Sequence, residues 1–250
     1  MNEEEAMSDR LIVALDVETA AEARRLVSTL RGMVGMYKIG SQLFTAAGPA
    51  LVREIISSGE RVFLDLKFHD IPSTVARAGV EATRLGVSMF NVHAAGGSEM
   101  MRHTANVVAE CAVSEELTRP LIIAVTVLTS ANATTLAEVG QSLKPEELVA
   151  RLALLTEASG LDGVVASPRE VATIRSAVQK PDFLVVTPGV RPTDAALFDQ
   201  KRVATPRDAI IAGADYIVVG RPILDAPDPA RAAQQIIDEL EIKAVNSVPT

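Results

Sequence analysis

Eight short apolar runs, each followed by a segment with helical patterning, constrain this chain more than any other feature. They begin at Leu11, Tyr37, Val62, Met89, Leu121, Gly163, Phe183 and Tyr216. Most read as continuous apolar stretches rather than alternating ones, such as Leu11-Ile12-Val13-Ala14-Leu15 and Leu121 to Leu128. A strand buried on both faces reads this way, and strands of that kind alternating with helices form a parallel sheet covered by helices. Eight such units in 250 residues fit a closed (β/α)8 TIM barrel better than a doubly wound open sheet. A 48% hydrophobic chain supplies the core, and with aromatics at 3% and no Trp it must be built of Ala, Val, Leu and Ile.

Local signals set the helices. Thr19 with Glu22 three residues on is a capping box, predicting a helix over Ala20–Leu30 that Gly32 stops. A helical pattern covers Ala50–Ser57, with Gly59 after it. Pro72, Pro145, Pro168 and Pro206 each stand where a helix can begin, since the first turn has no use for their missing N–H. Glu99–Cys111 and Pro229–Leu240 are also expected helices, and Thr129–Thr135 an expected polar loop. No linker or composition shift divides the chain, so residues 10–242 are read as one domain between a charged N-terminal tail (1–9) and a C-terminal tail (243–250).

Composition excludes several classes. The net charge of −8 argues against a surface that binds nucleic acid or anionic membrane nonspecifically. No apolar run approaches the roughly 18 residues needed to span a bilayer. The acidic opening Met1-Asn2-Glu3-Glu4-Glu5-Ala6 lacks the apolar region of a secretory leader, and the single Cys111 suits a reducing compartment. A cytoplasmic location is expected, with Cys111 a small core residue.

The polar residues fall where a barrel keeps its chemistry. Asp16, Lys38, Asp65, Lys67 and His93 end or follow the apolar runs, as do Thr126 to Ser130, Pro188 to Arg191, and Gly220-Arg221. In a (β/α)8 barrel the carboxyl ends of the strands converge on one mouth, which carries the active site. Asp65 and Lys67 share a strand face by the period of two, so an amine and an acid sit together. Taken alone, that pair reads equally as a structural ion pair plugging the barrel. Gly220-Arg221, after the eighth strand, matches the place where barrels often bind phosphate: glycine lets backbone approach the anion, and arginine clamps it. The segment Arg191–Arg202 reads as a closing lid with Gly189 as hinge. His93 is expected to support the mouth through a hydrogen bond, and His69 and His103 to be solvated or structural. Two lysines among the acids disfavour a divalent ion, so neither metal nor cofactor is expected. No G-x-S-x-G elbow or Walker loop is present.

The segment Asp65-Leu66-Lys67-Phe68-His69-Asp70 resembles the D-x-K-x-x-D signature of the orotidine 5′-phosphate decarboxylase family. Ala14-Leu15-Asp16, Lys38-Ile39-Gly40, Val127 to Ser130, Thr187 to Pro192 and Val219 to Pro222 extend the resemblance, in order, over nearly the whole chain. The resemblance implies cofactor-independent decarboxylation of orotidine 5′-phosphate to UMP. Asp16 and Lys38 would bind the ribose hydroxyls, Asp65 would lie against the substrate carboxylate, and Lys67 would donate the proton. Thr129 and Ser130 would meet the pyrimidine edge, with Pro188 also against the substrate. Gln200, Gly220 and Arg221 would hold the phosphate, and Arg191 would sit on the closing loop. Asp70, Ile71 and Thr74 would reach the neighbouring subunit's site, making the active unit a homodimer with Asp70 completing the partner's charges. Two rivals are a metal-dependent phosphosugar lyase with the same signature, of the hexulose-phosphate synthase or ketogulonate-phosphate decarboxylase kind, and a non-catalytic barrel that binds a phosphate ligand. The first would carry an acid where this chain has Lys38, and the second has no need of an Asp-Lys-Asp cluster.

Overall fold

The computed structural model describes residues 7–191 and 204–241. Eight parallel strands close into a barrel in sequence order: β1 (Leu11–Ala14), β2 (Met36–Gly40), β3 (Val62–Phe68), β4 (Met89–His93), β5 (Leu121–Val125), β6 (Gly163–Val165), β7 (Leu184–Pro188) and β8 (Tyr216–Val219). β8 returns to pair with β1, so no edge is left open. Around the barrel lie α1 (Ala20–Leu30), α2 (Ser41–Ser57), α3 (Pro72–Arg84), α4 (Gly97–Ser114), α5 (Ala133–Glu138), α6 (Pro145–Ala158), α7 (Val171–Ala177), α8 (Pro206–Ala212), α9 (Arg221–Leu224) and α10 (Pro229–Glu241).

Each strand faces two cores, which is why it reads as an unbroken apolar run. One set of residues, including Ile12, Met36, Phe63, Met89, Ile123, Val186 and Val218, fills the barrel interior. The residues between them, such as Leu11, Val13, Tyr37 and Leu64, pack outward against the helices. β6 and β7 approach so closely that a Cβ at Gly163 would stand 2.2 Å from the Leu184 carbonyl oxygen, so only glycine fits there.

Several elements depart from expectation, each for a local reason. The capping box of α1 is present, with the Thr19 side chain accepting from the Glu22 amide. α2 begins at Ser41, nine residues before the expected Ala50, and is broken at Gly48 (φ 65°), after which Pro49 restarts it. The Gly-Pro pair hid the first half because it reads as a breaker. The expected polar loop Thr129–Thr135 runs into α5, whose first turn is capped by Asn132 accepting from the Thr135 amide. β5 stops at Val125 rather than Leu128, and β8 at Val219 rather than Arg221, which opens the one-turn α9. At the N-terminal boundary, Asp9 pairs with Arg61 at 2.6 Å. Among the described residues no helix is long and apolar enough to cross a membrane.

Candidate active site

At the carboxyl ends of the strands a cavity of about 400 Å³ opens over a floor made by Ala14, Phe63, Val125, Val165 and Val218. Asp16, Lys38, Asp65, Lys67, Thr129, Pro188, Arg191, Gly220 and Arg221 all line it. The sequence therefore located the mouth and most of its polar lining. Four expected residues are not in this lining: Ser130, Asp70, Ile71 and Thr74, all exposed. Gln200, and the candidate lid beyond Arg191, lie outside the described residues. A larger apolar hollow of about 1050 Å³, walled by α4, α5 and α6, brings together no comparable charges.

The charges form a continuous chain. Lys38, on β2, places Nζ 3.1 Å from Asp16 Oδ1 and 3.2 Å from Asp65 Oδ2. Lys67 Nζ lies 2.6 Å from the other oxygen, Asp65 Oδ1. Acid and amine thus alternate from Asp16 to Lys67, two of each sign, so the array is neutral as a whole. Asp65 and Lys38 are both buried, which by itself disfavours their charged forms. Burial would raise Asp65, but Lys38 and Lys67 outweigh it, and the carboxyl sits below the usual carboxylate range. Burial would likewise lower Lys38, but Asp65 and Asp16 outweigh it, and the amine is raised. Both ends of the pair are therefore held ionised in a site partly withdrawn from water. Such ionised groups in a cleft are what catalytic sites hold.

β3 does not continue as a regular strand through this cluster. Its register against β4 shifts between Leu64 and Phe68, and Lys67 adopts a left-handed backbone conformation (φ 52°). The period of two correctly put Asp65 and Lys67 together, but the backbone between them is bulged.

Sequence reasoning missed Asn91. It is fully buried in β4, donates Nδ2–H to Asp65 Oδ1 at 2.7 Å, and accepts the Lys67 amide N–H at 2.8 Å. The available signal was a lone amide interrupting the run Met89-Phe90-Asn91-Val92. His93 also differs from expectation. The ring of His93 meets that of His69, centroids 5.4 Å apart, rather than a hydrogen-bond partner among the described residues. Burial, helped by His69 and Lys67, holds His93 below the usual histidine range. Among the described residues no group of three or more His, Cys, Asp or Glu is placed to hold a metal ion.

The mouth carries two further positive charges: Arg191 follows β7, and Arg221 follows β8 beside Gly220. A neutral Asp/Lys array facing two arginines suits a ligand with an anionic tail and a polar head. Fold and mouth together define a (β/α)8 barrel enzyme that works at the carboxyl ends of its strands.

Comparison with known proteins makes this specific. The model of the orotidine 5′-phosphate decarboxylase / HUMPS family matches residues 9–236. Orotidine 5′-phosphate decarboxylase of Syntrophotalea carbinolica is 56% identical over 231 residues, 92% of this chain and 94% of that protein. The enzyme of the same name from Geobacter sulfurreducens is 56% identical over 232 residues, 93% and 96% of the two chains. The crystal structure of orotidine 5′-phosphate decarboxylase from Lactobacillus acidophilus superposes with a TM-score of 0.81 at 36% identity, covering 92% of this chain and 98% of that one. The chain belongs to the orotidine 5′-phosphate decarboxylase / HUMPS family.

Proposed function

We propose that this protein decarboxylates orotidine 5′-phosphate to UMP, the closing step of pyrimidine nucleotide synthesis, without metal or cofactor. The observation that carries the reading is the Asp16–Lys38–Asp65–Lys67 array at the barrel mouth. Breaking the bond from the pyrimidine ring to the carboxylate carbon leaves an electron pair on the ring carbon, with nothing in the substrate to delocalise it well. The barrier is high, and preorganised charge must supply most of the acceleration. The Lys67 ammonium, fixed by Asp65, stabilises that developing charge and then transfers a proton to the same carbon as carbon dioxide leaves. Asp16 and Lys38 take the ribose hydroxyls, while Thr129 and Pro188 stand where the ring would be flanked. Gly220 and Arg221, with Arg191 and Gln200, hold the phosphate. Binding energy from these remote groups drives the reacting ring onto the array.

Lys38 separates this reading from the metal-dependent rival. Its ammonium already occupies the space between the carboxylates of Asp16 and Asp65, where a divalent ion would otherwise bridge them.

The active unit on this reading is a homodimer. Asp70, Ile71 and Thr74 are exposed beside the mouth and outside the cavity lining of their own subunit. Ile71 is 63% exposed, an apolar side chain that a second copy would cover on this reading. The buried, unpaired Cys111 suits work in the reducing cytoplasm. The deciding experiment follows the ultraviolet absorbance of orotidine 5′-phosphate with excess EDTA. Full turnover is expected. Activity that vanishes with the chelator and returns with magnesium would move the assignment to the metal-dependent rival.

A further inference from the structure

We infer that Asn91 is a positioning residue for the reaction: it fixes the β3 bulge that sets Lys67 against Asp65, and it does so without touching the substrate. The inference rests on the decarboxylase reading above. Asn91 is completely buried, stands between the buried Phe90 and Val92, and points into the barrel interior in step with Met89. An amide in such a place is costly unless both its ends are bonded, and both are. Its Oδ1 accepts the Lys67 amide N–H and its Nδ2–H donates to Asp65 Oδ1. Only this orientation of the amide satisfies both contacts, since a flipped one would set donor against donor and acceptor against acceptor.

The bond to the Lys67 amide falls where the sheet loses its own ladder. Leu64 pairs with Phe90, but the next β3 residue in register is Phe68, with Val92. Four steps along β3 thus answer two along β4, and the surplus residues include Lys67 with its left-handed φ of 52°. A bulge re-aims the side chains it contains. Lysine rarely holds φ above zero unless its surroundings enforce it. Asn91 supplies the acceptor that the regular ladder would have given, and the same amide holds the carboxylate that Lys67 must meet. Asn91 does not line the cavity, so its effect on catalysis runs through Lys67 and Asp65.

Two substitutions separate its two bonds. Asn91→Leu removes both at similar volume. Asn91→Asp keeps the acceptor for the Lys67 amide but faces Asp65 with a second carboxylate. For Asn91→Leu we expect kcat to fall about 100-fold, as misplacement of a reacting group by about 1 Å does. KM and the Kd for UMP should stay within about threefold, because binding groups are untouched. Its crystal structure should show Lys67 out of the left-handed region and Nζ off Asp65. For Asn91→Asp the acid limb of kcat should move to higher pH by about one unit or more, because paired carboxylates take up their first proton more easily. The other charges facing Asp65 are Lys38 from β2, Lys67 from β3 and His93 from β4, with Asp16 behind Lys38; they are common to both enzymes.

Three results would overturn the inference. One is an Asn91→Leu enzyme that keeps kcat within about threefold, or keeps Lys67 left-handed and on Asp65. Another is a parallel loss of kcat, UMP affinity and thermal stability, which would make Asn91 merely structural. The third is an unmoved acid limb in Asn91→Asp, which carries the test if Asn91→Leu does not fold. Failure of the wild type to turn over orotidine 5′-phosphate would instead overturn the activity, and the Lys67 geometry in Asn91→Leu would still judge Asn91.

Discussion

Replacing Asp65 by asparagine removes one negative charge from between two ammonium groups while keeping the shape of the side chain. Its oxygens stand 3.2 Å from Lys38 Nζ and 2.6 Å from Lys67 Nζ. The two lysines will not suffer equally. The Lys67 side chain is 35% exposed and can turn its ammonium to water, whereas that of Lys38 is 11% exposed and cannot. Lys38 keeps Asp16 at 3.1 Å, but that carboxylate is 57% exposed. Removing one partner of a buried pair costs about 3–5 kcal/mol, and a largely solvated pair such as the remaining one offsets up to about 1 kcal/mol. A loss of about 2–5 kcal/mol at pH 7 is expected from the difference of those two figures.

The pH dependence gives the sharper test. Asp65 has its carboxyl lowered from the ordinary 3.8, so its contribution is complete above that value and is lost as pH falls through the folded pKa. Lys38 is raised from the ordinary 10.5, so its contribution is complete below that value and is lost as pH rises through the folded pKa. The wild-type array therefore stabilises the protein across the window from 3.8 to 10.5. In the variant, burial of Lys38 is opposed by Asp16 alone, so its amine should shed its proton more easily and the penalty should shrink between pH 7 and 10. Urea unfolding followed by circular dichroism at pH 7, 8.5 and 10 measures this. A difference below about 1 kcal/mol at pH 7, the size of an exposed pair, would refute the reasoning. So would a difference that stays constant to pH 10.

Two further predictions bear on catalysis and assembly. Lys67→Ala should bind UMP about as well as wild type yet lose turnover by several orders of magnitude, as measured by isothermal titration and by absorbance; near-normal turnover would end the role given to Lys67 as acid. Mixing inactive Asp70→Ala with inactive Lys67→Ala should restore part of the activity, because on the proposed dimer a hybrid would hold one site with both residues intact. No recovery after subunit exchange has been verified by mass spectrometry would place Asp70 within its own subunit's site.

How far the sequence could be read depended on the range of the interaction. The eight strands were legible because each buries both faces, which leaves an apolar run no surface element would carry. The cap at Thr19 was legible because both of its partners lie within three residues. The first half of α2 was not, since Gly48 and Pro49 break the pattern while the fold carries the helix on either side of them. The β3 bulge was not legible for a different reason. It is a property of pairing, visible only when β4 is laid beside β3 and the register slips. Asn91 belongs to the same class: alone it is one amide in an apolar run, and its meaning comes from Asp65 and Lys67, both more than twenty positions away. Asp70, Ile71 and Thr74 are a third case: the role proposed for them came from the resemblance of the signature, not from any pairing within one chain.

The geometry around Asp65 also limits what that carboxylate can do. Its Oδ2 is taken by Lys38 and its Oδ1 by both Lys67 and Asn91. Three donors from three strands hold it, so it cannot swing toward a ligand to act as a base or a nucleophile. Its influence on a bound substrate is that of a fixed negative charge. Lys67 is the opposite case: its ammonium has three donors, one is on Asp65, and its side chain is the more exposed of the two lysines. On the proposed mechanism the array separates a charge that must not move from a proton that must. A rigid acid bonded through β2, β3 and β4 aims an amine that still has protons to give. The same division explains why a bulge and a buried amide sit beneath the site. A regular strand would carry Lys67 to the next step of the ladder, while the bulge folds it back over the carboxylate that orients it.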